Sequence, residues 1–193
     1  MILYLHGFNS SPASHKARTM QAWMQARGLA AHFVCPELPP HPRAAVALIE
    51  ALARAQAPRT LCFVGSSLGG FYATYFAEKL AARAILLNPA ILPHTGLEAA
   101  LGPQQNLYTD ERYELTRADL DAWRELETPA IDAERYLLIV ETGDEVLDYR
   151  RAVARYEGAR MVIREGGDHT LQSFPEHLPR ILRFAGLDTQ GAA

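Results

Sequence analysis

Apolar residues along this chain occur in short, uninterrupted runs separated by longer amphipathic stretches. About six of these runs have the length and the Val, Ile, Leu and Phe content of buried strands; they cover residues 2–5, 31–34, 61–64, 84–87, 136–140 and 160–163. Apolar residues at helical spacing mark most of the intervening stretches, at residues 14–27, 43–56, 68–80, 148–156 and 175–184. Such alternation is typical of βαβ crossovers. The pattern therefore predicts an α/β fold with a mostly parallel sheet flanked by helices.

The alternation is interrupted once. Residues 90–133 contain no convincing strand, and we interpret them as a short helical cap. A chain of 193 residues is of the size of one domain. We therefore expect a single domain over residues 1–193 with the cap as an insertion.

The cap carries a helix signal of its own. Thr116 and Asp119 have the spacing of a capping box, which predicts a helix over residues 117–127. Apolar residues recur on one face of this helix, at Leu120, Trp123 and Leu126. That face either packs on the rest of the domain or lines an acyl pocket.

Composition narrows the possible functions. Apolar residues make up 49% of the chain and charged residues 21%, as in ordinary globular proteins. The formal net charge is -3 with both signs interspersed, so we expect no nucleic-acid partner. No apolar run is long enough to span a bilayer, and no segment is typical of a signal peptide. The two cysteines, Cys35 and Cys62, lack metal-ligand spacing, so a cytoplasmic protein without a metal or organic cofactor is expected.

The most specific motif follows the third apolar run. Residues 65–69 read GSSLG, which matches G-x-S-x-G with Ser67 at its centre. A predicted strand enters the motif and a predicted helix leaves it, as a nucleophile elbow requires. We expect a Cβ atom two residues on either side of the serine to clash with neighbouring segments. Ser67 is thus a candidate nucleophile; the alternative is a glycine-rich turn that binds phosphate through its amides.

A serine hydroxyl needs a base to become a nucleophile. Of the seven histidines, His169 is the best placed, because it follows the last predicted strand and precedes the final helix. A loop at that position, at the carboxyl edge of a parallel sheet, can reach the strand-to-helix turn that carries Ser67. His169 is therefore the candidate base.

The third member of such a triad is a carboxylate. Asp144 lies just beyond the fifth predicted strand, directly after a glycine. There a carboxylate can accept a hydrogen bond from the base's Nδ1. Glu145 and Asp148 are rivals, although Asp148 is more typical of an N-cap of the next helix. The chain order of nucleophile, acid and base is the α/β-hydrolase order.

Attack by Ser67 on an acyl carbon would create an oxyanion that needs hydrogen-bond donors. The amide of Leu68, directly after the nucleophile, is one candidate. The loop after the first strand, which reads LHGFNSSP over residues 5–12, supplies the second, and we assign it to the amide of Phe8. In the same loop, His6 is expected to shape the backbone, and Asn9 either faces the substrate or caps the following helix.

Several motifs together resemble those of the YqiA-type small bacterial esterases: HGFNSSP at 6–12, GSSLGG at 65–70, NPA at 88–90, TGDEVLDY at 142–149, and EGG at 165–167 with His169. The resemblance spans nearly the whole chain. It implies a compact α/β-hydrolase fold, an activity on acyl esters or acyl thioesters, and triad roles for Ser67, Asp144 and His169. Two positions depart from the resemblance, Asp168 where Asn is expected and Leu107 where Pro is expected.

These residues predict a serine hydrolase that acts through an acyl-enzyme on a small-molecule ester or thioester. Apolar residues in the cap indicate an acyl group of short to medium length, namely Leu101, Tyr108, Tyr113 and Trp123. Candidate substrate-binding residues are His6, Asn9, Tyr108 and Tyr113. The alternatives are acyl transfer or another chemistry of the same fold, and a binding module without catalysis.

Overall fold

The computed structural model of the protein describes residues 1–56 and 60–187. In chain order its strands are β1 (Ile2–Leu5), β2 (Phe33–Val34), β3 (Cys62–Ser66), β4 (Arg83–Leu87), β5 (Gly102–Gln105), β6 (Arg112–Leu115), β7 (Tyr136–Glu141) and β8 (Arg160–Arg164). Six of them form one sheet in the order β2-β1-β3-β4-β7-β8, and every pairing in it is parallel. The mostly parallel sheet predicted from the apolar runs is confirmed.

The helices cover both faces of this sheet. They are α1 (His15–Gln25), α2 (Pro42–Arg54), α3 (Leu68–Leu80), α4 (Pro93–Gly96), α5 (Arg117–Glu125), α6 (Tyr149–Arg155) and α7 (Phe174–Ala185). Because side chains alternate along a strand, Ile2 and Tyr4 join the core formed with α1 and α7. Leu3 and Leu5 join the other core, formed with α2, α3 and α5. The apolar runs are therefore continuous because both faces of the sheet are buried.

The prediction that residues 90–133 contain no strand is wrong. Strands β5 and β6 pair antiparallel in that segment, from Gly102 opposite Leu115 to Gln105 opposite Arg112. The turn between them is held by Asn106, whose Oδ1 accepts hydrogen bonds from the amides of Tyr108 and Thr109 at 2.9 and 3.2 Å. Apolar content does not predict this hairpin, because its strands, GPQQ and RYEL, are mainly polar and lie outside the main sheet.

Helix α5 begins as predicted. Thr116 caps it with a complete capping box, in which the side chains of Thr116 and Asp119 each accept from the other's amide. The apolar face of α5 packs on the rest of the chain. Leu120 and Trp123 are buried, and Trp123 Nε1 donates to the Tyr72 hydroxyl at 2.8 Å.

Some predicted boundaries shift. Residues Ala30–His32 form a 3-10 turn, so β2 is shorter than the predicted run over 31–34. Asp148 stands just before α6 and accepts a hydrogen bond from the amide of Arg150, which confirms the expected N-cap. None of the described helices is both long and apolar enough to cross a membrane.

Candidate active site

Ser67 lies at a sharp turn between β3 and α3. Its backbone has φ 53° and ψ −120°, a strained conformation for a residue with a side chain. Three backbone hydrogen bonds hold this conformation: the amide of Ser67 donates to the Leu87 carbonyl at 3.0 Å, and its carbonyl accepts from Gly70 and Ala90 at 2.9 and 3.0 Å. The turn therefore has the geometry of a nucleophile elbow.

The glycines on either side of Ser67 fill a steric requirement. A Cβ atom on Gly65 would lie 2.3 Å from the carbonyl oxygen of Gly69, and one on Gly69 would lie 1.9 Å from the carbonyl oxygen of Leu5. Both contacts are with backbone, which cannot move aside as a side chain can. The clash expected from the G-x-S-x-G pattern is confirmed.

We expect Gly69→Ala to lower the free energy of unfolding by about 3 kcal/mol, because the added methyl group overlaps the β1 backbone. Urea denaturation monitored by circular dichroism measures this loss. Gly96→Ala is the matched control, since nothing lies within 4 Å of a Cβ atom at that position. Equal stability of the two variants would contradict the steric explanation.

The three candidate triad residues come together from three different strand ends. His169 Nε2 lies 3.1 Å from Ser67 Oγ, and His169 Nδ1 lies 2.8 Å from Asp144 Oδ2 and 3.0 Å from Oδ1. The side chain of Asp144 is 1% exposed and that of His169 is 22% exposed. One imidazole ring thus links the buried carboxylate to the hydroxyl at the turn.

Hydrogen bonds keep Asp144 in its ionised form. Burial by itself would raise the pKa of Asp144, but hydrogen bonds from the His169 ring and from the amides of Leu147 and Val146 lower that pKa overall. The two amides donate to Oδ1 at 2.8 and 2.9 Å. A carboxylate held in this way accepts from Nδ1 and leaves Nε2 free to accept the serine proton.

The rival carboxylates have different partners. Glu145 Oε2 accepts from the backbone amide of His169 at 3.0 Å and so contacts the main chain rather than the ring. Asp148 Oδ1 accepts from the amide of Arg150 at 3.0 Å at the start of α6. Of the three carboxylates considered in the sequence, Asp144 is the one that contacts the imidazole.

A further carboxylate, Glu141, organises the loop that carries His169. It ends β7 and is buried, and Oε2 accepts from the amides of Asp168 and Gln172 at 2.9 and 3.1 Å. Its Oε1 accepts from the amide and hydroxyl of Ser173 at 2.8 and 2.6 Å. The sequence reasoning missed this residue, although a carboxylate that closes an apolar strand was a signal available to it.

Asn88 joins the same network from the end of β4. Its Nδ2 donates to the carbonyl of Asp168 at 3.0 Å, and its Oδ1 accepts from the amide of Glu141 at 3.0 Å. Asn88 is buried and has a positive φ of 41°. The loop before His169 is therefore attached to two strand ends at once.

Glu141 should make the stability of the protein depend on pH. Burial alone would raise the pKa of Glu141, but the hydrogen bonds from Ser173, Asp168 and Gln172 lower it overall. The stabilisation is therefore complete above the unfolded-state pKa of about 4.3 and is lost as the pH falls through the lower folded-state pKa. We expect Glu141→Gln to cost about 2 kcal/mol at pH 7.

The measurement is urea denaturation of wild type and Glu141→Gln between pH 7 and pH 3. The difference between their free energies of unfolding should persist down to about pH 4.3 and shrink at lower pH. Glu165→Gln, which changes an exposed carboxylate just after β8, is the control and should show little difference at any pH. A gap between wild type and Glu141→Gln that is independent of pH would rule out the carboxylate as its cause.

The loop after β1 passes directly over Ser67. A Cβ atom on Gly7 would lie 3.2 Å from Ser67 Cβ, so only a glycine fits this approach comfortably. Phe8 follows and lines the same cavity as Ser67 and Leu68. Leu68 is the first residue of α3, where amides have no acceptor within the helix.

His6 lies beneath this loop. Its Nε2 accepts from the amide of Leu38 at 3.0 Å, and its Nδ1 lies 3.1 Å from the carbonyl of Gly7. Burial lowers the pKa of His6, which favours the neutral ring that these two contacts require. The structure thus places His6 as a support for the backbone of the loop.

The β5–β6 hairpin contacts the same loop. Asn9, which has a positive φ of 49°, accepts from the Tyr113 hydroxyl at 2.6 Å and donates to Gln104 Oε1 at 3.1 Å. Asn106 Nδ2 donates to the carbonyl of Ser10 at 2.9 Å. Asn9 and Tyr113 therefore join the hairpin to the loop next to Phe8.

An apolar cavity of about 400 Å³ opens beside Ser67 and His169. Residues 89–93, 96–97 and 146–148 form most of its wall, together with Phe8, Leu68 and Arg151. The four cap residues expected to indicate an acyl pocket do not line this cavity. Trp123 is buried against Tyr72, Tyr108 is 49% exposed, and Leu101 and Tyr113 pack against the core. The segment after β4 forms the wall instead, because it runs directly from the end of that strand past Ser67.

Asp168, which departs from the resemblance, forms hydrogen bonds within its own loop. Its carboxylate accepts from the amide of Thr170 at 2.8 Å and from Gln172 Nε2 at 2.6 Å. The hydrogen bond from the Thr170 hydroxyl contributes most to lowering the pKa of Asp168, followed by the hydrogen bond from Gln172.

In the part of the chain that the structure describes, no group of three or more His, Cys, Asp or Glu side chains is arranged to hold a metal ion.

Comparison with solved structures supports the fold class. Alpha/beta hydrolase domain-containing protein 10 from mouse superposes with a TM-score of 0.69 at 15% identity, covering 94% of this chain and 87% of that one. A monoacylglycerol lipase from Paleococcus ferrophilus superposes with a TM-score of 0.66 at 15% identity, covering 95% of this chain and 93% of that one. The α/β-hydrolase fold predicted from the sequence is confirmed.

Comparison of sequences identifies the family. The chain is 25% identical over 199 residues to the UPF0227 protein YcfP of Salmonella gallinarum, with 97% of this chain and 99% of that protein aligned. The family model described as "Uncharacterised protein family (UPF0227)" matches residues 1–186. This chain, with an α/β-hydrolase fold and a Ser-His-Asp constellation at its strand ends, therefore belongs to the UPF0227 family.

Proposed function

We propose that this protein is a serine hydrolase that cleaves carboxylic ester or thioester bonds of short to medium acyl groups. The observation that carries the proposal is the unbroken set of hydrogen bonds from Ser67 through His169 to Asp144, at the mouth of an apolar cavity. A hydroxyl, an imidazole and a carboxylate in this arrangement are the groups that acyl transfer to a serine requires.

Acylation begins at Ser67. His169 Nε2 takes the proton from Ser67 Oγ as the oxygen attacks the acyl carbon, and the carbonyl oxygen becomes an oxyanion. The amides of Phe8 and Leu68 donate hydrogen bonds to that oxyanion. When the intermediate collapses, the alcohol or thiol leaves with the proton from His169, and the acyl group stays on Ser67.

Deacylation repeats these steps with water. His169 takes a proton from water, whose oxygen attacks the acyl-enzyme, and the proton returns to Ser67 Oγ as the carboxylic acid leaves. Throughout, Asp144 holds the imidazole in the tautomer with its proton on Nδ1 and stabilises the imidazolium that forms. The steps use only this chain's own residues and water.

Two other functions remain outcomes of the test. Acyl transfer to an acceptor other than water uses the same acyl-enzyme, and a binding module would keep the cavity without turnover. The monoacylglycerol lipase among the structural relatives is in line with an ester substrate. The strained turn at Ser67 favours catalysis, because such strain is kept mainly where function uses it.

The test combines labelling with turnover. A fluorophosphonate probe should modify Ser67, as located by peptide mass spectrometry, and should still modify the Ser66→Ala variant. The purified protein should hydrolyse a series of p-nitrophenyl esters or acyl-CoA thioesters, with a rate that peaks at short or medium chain length. Labelling without hydrolysis, but with product formed when an alcohol acceptor is added, would indicate a transferase. The absence of both labelling and turnover would contradict the proposal.

A further inference from the structure

The wall of the cavity beside Ser67 is apolar except for the reacting groups and two charged residues at the start of α6, Asp148 and Arg151. The charge of Asp148 is already compensated. Its Oδ1 accepts from the amide of Arg150 at 3.0 Å and lies 3.5 Å from Arg150 Nη1. Arg151 is therefore the source of a positive charge in this wall that has no counterion there.

Among the residues that the structure describes, the neighbouring arginines of α6 have partners and Arg151 has none. Arg155, one turn later on the same face, donates to the carbonyls of Thr128 and Pro129. Arg150 pairs with Asp148, and its guanidinium carbon lies 5.2 Å from the centre of the Tyr149 ring. Within residues 1–56 and 60–187, no side chain or carbonyl accepts a hydrogen bond from the Arg151 guanidinium.

We propose that Arg151 binds a carboxylate group of the substrate, so that the preferred substrates are esters or thioesters whose short apolar part carries a terminal carboxylate. The proposal rests on the proposed hydrolase function and specifies its substrate class. A guanidinium binds a carboxylate through two parallel hydrogen bonds. Arg151 is exposed and lines the cavity, so a carboxylate that enters the cavity can approach its side chain.

The kinetic test compares charged and neutral esters of matched shape. With the charge on the acyl side, these are mono-p-nitrophenyl glutarate and p-nitrophenyl methyl glutarate. With the charge on the alcohol side, they are 4-butyryloxybenzoate and its methyl ester. We expect kcat/KM of the wild type to favour the charged ester about tenfold in one of the two pairs, which identifies the side that Arg151 contacts.

Substitutions of two adjacent arginines distinguish a positive charge in the cavity wall from a positive charge elsewhere on α6. Arg151→Gln should remove the preference for the charged ester, and Arg150→Gln should keep it, because Arg150 pairs with Asp148 and does not line the cavity. The proposal is wrong if a wild type that hydrolyses these esters shows no preference in either pair. It is also wrong if Arg151→Gln keeps the preference or if both variants lose it equally.

A binding measurement makes the outcome independent of catalysis. In Ser67→Ala protein, monomethyl glutarate or 4-butyryloxybenzoate should bind with a Kd that rises about tenfold when Arg151→Gln is added, as measured by titration calorimetry. If the wild type cleaves no ester but Arg151→Gln still weakens binding in the Ser67→Ala background, the hydrolase function is contradicted and the carboxylate site is supported. Equal affinity of the two proteins for both ligands, with ester cleavage intact, would contradict the site alone.

Discussion

Ser67→Ala is expected to lower kcat for ester hydrolysis by about four to six decades. The substitution removes the oxygen that lies 3.1 Å from His169 Nε2, and with it the acyl-enzyme route. What remains is the slow attack of water in a site that still has the Phe8 and Leu68 amides. Steady-state kinetics with a p-nitrophenyl ester, at enzyme concentrations high enough to detect the residual rate, measures the loss.

Ser66→Ala is the matched control for this experiment. Ser66 is the neighbouring serine, but it is buried at the end of β3 and precedes the strained turn. Its substitution should change kcat far less than that of Ser67, and circular dichroism should show both variants folded. If Ser67→Ala kept wild-type turnover, the nucleophile would have to be assigned to another residue.

Asp144→Asn is expected to lower kcat by about four decades while the protein remains folded. An asparagine amide in place of the carboxylate donates to Nδ1 instead of accepting from it. The ring then carries its proton on Nε2, where it cannot accept the proton of Ser67 Oγ. The loss of negative charge also removes stabilisation of the imidazolium that forms during attack. Comparison of kcat for wild type and variant at neutral pH tests this expectation.

Asp148→Asn is the control for the choice of acid. Asparagine is as good an N-cap as aspartate, so α6 should keep its start, and kcat should fall by no more than about tenfold. A result in which Asp148→Asn loses activity and Asp144→Asn keeps it would overturn the assignment of Asp144. Labelling of Ser67 by a fluorophosphonate should likewise be slower in Asp144→Asn than in Asp148→Asn, because the probe reports the activated hydroxyl.

Much of the fold and of the candidate site is predictable because the signals are local. Apolar runs mark the strands of a sheet buried on both faces. The G-x-S-x-G motif marks the turn at Ser67, because its glycines answer a steric need within a few residues. Chain order then selects His169 and a carboxylate of the loop after β7, with Asp144 as the preferred candidate, since loops after parallel strands meet at one edge of the sheet. The structure brings all three within hydrogen-bonding distance.

The features that were missed depend on contacts between distant parts of the chain. The β5–β6 hairpin is mainly polar, and Asn106 and Tyr113 attach it to the loop after β1, about a hundred residues earlier in the sequence. Glu141 resembles any charged strand end until three amides of the His169 loop are seen to donate to it. Hydrogen bonds of this kind leave no spacing pattern in the sequence.

By itself, the sequence determined the parallel sheet, the nucleophile turn and the chain order of Ser67, Asp144 and His169, because strand burial and steric room are encoded by neighbouring residues. Only the tertiary structure decided which carboxylate contacts the imidazole and which residues form the wall of the cavity. It placed Arg151 in that wall and Tyr108 outside it. The physical reason is that a cavity is formed by the packing of loops from separate strands, and that packing depends on side chains far apart in the chain.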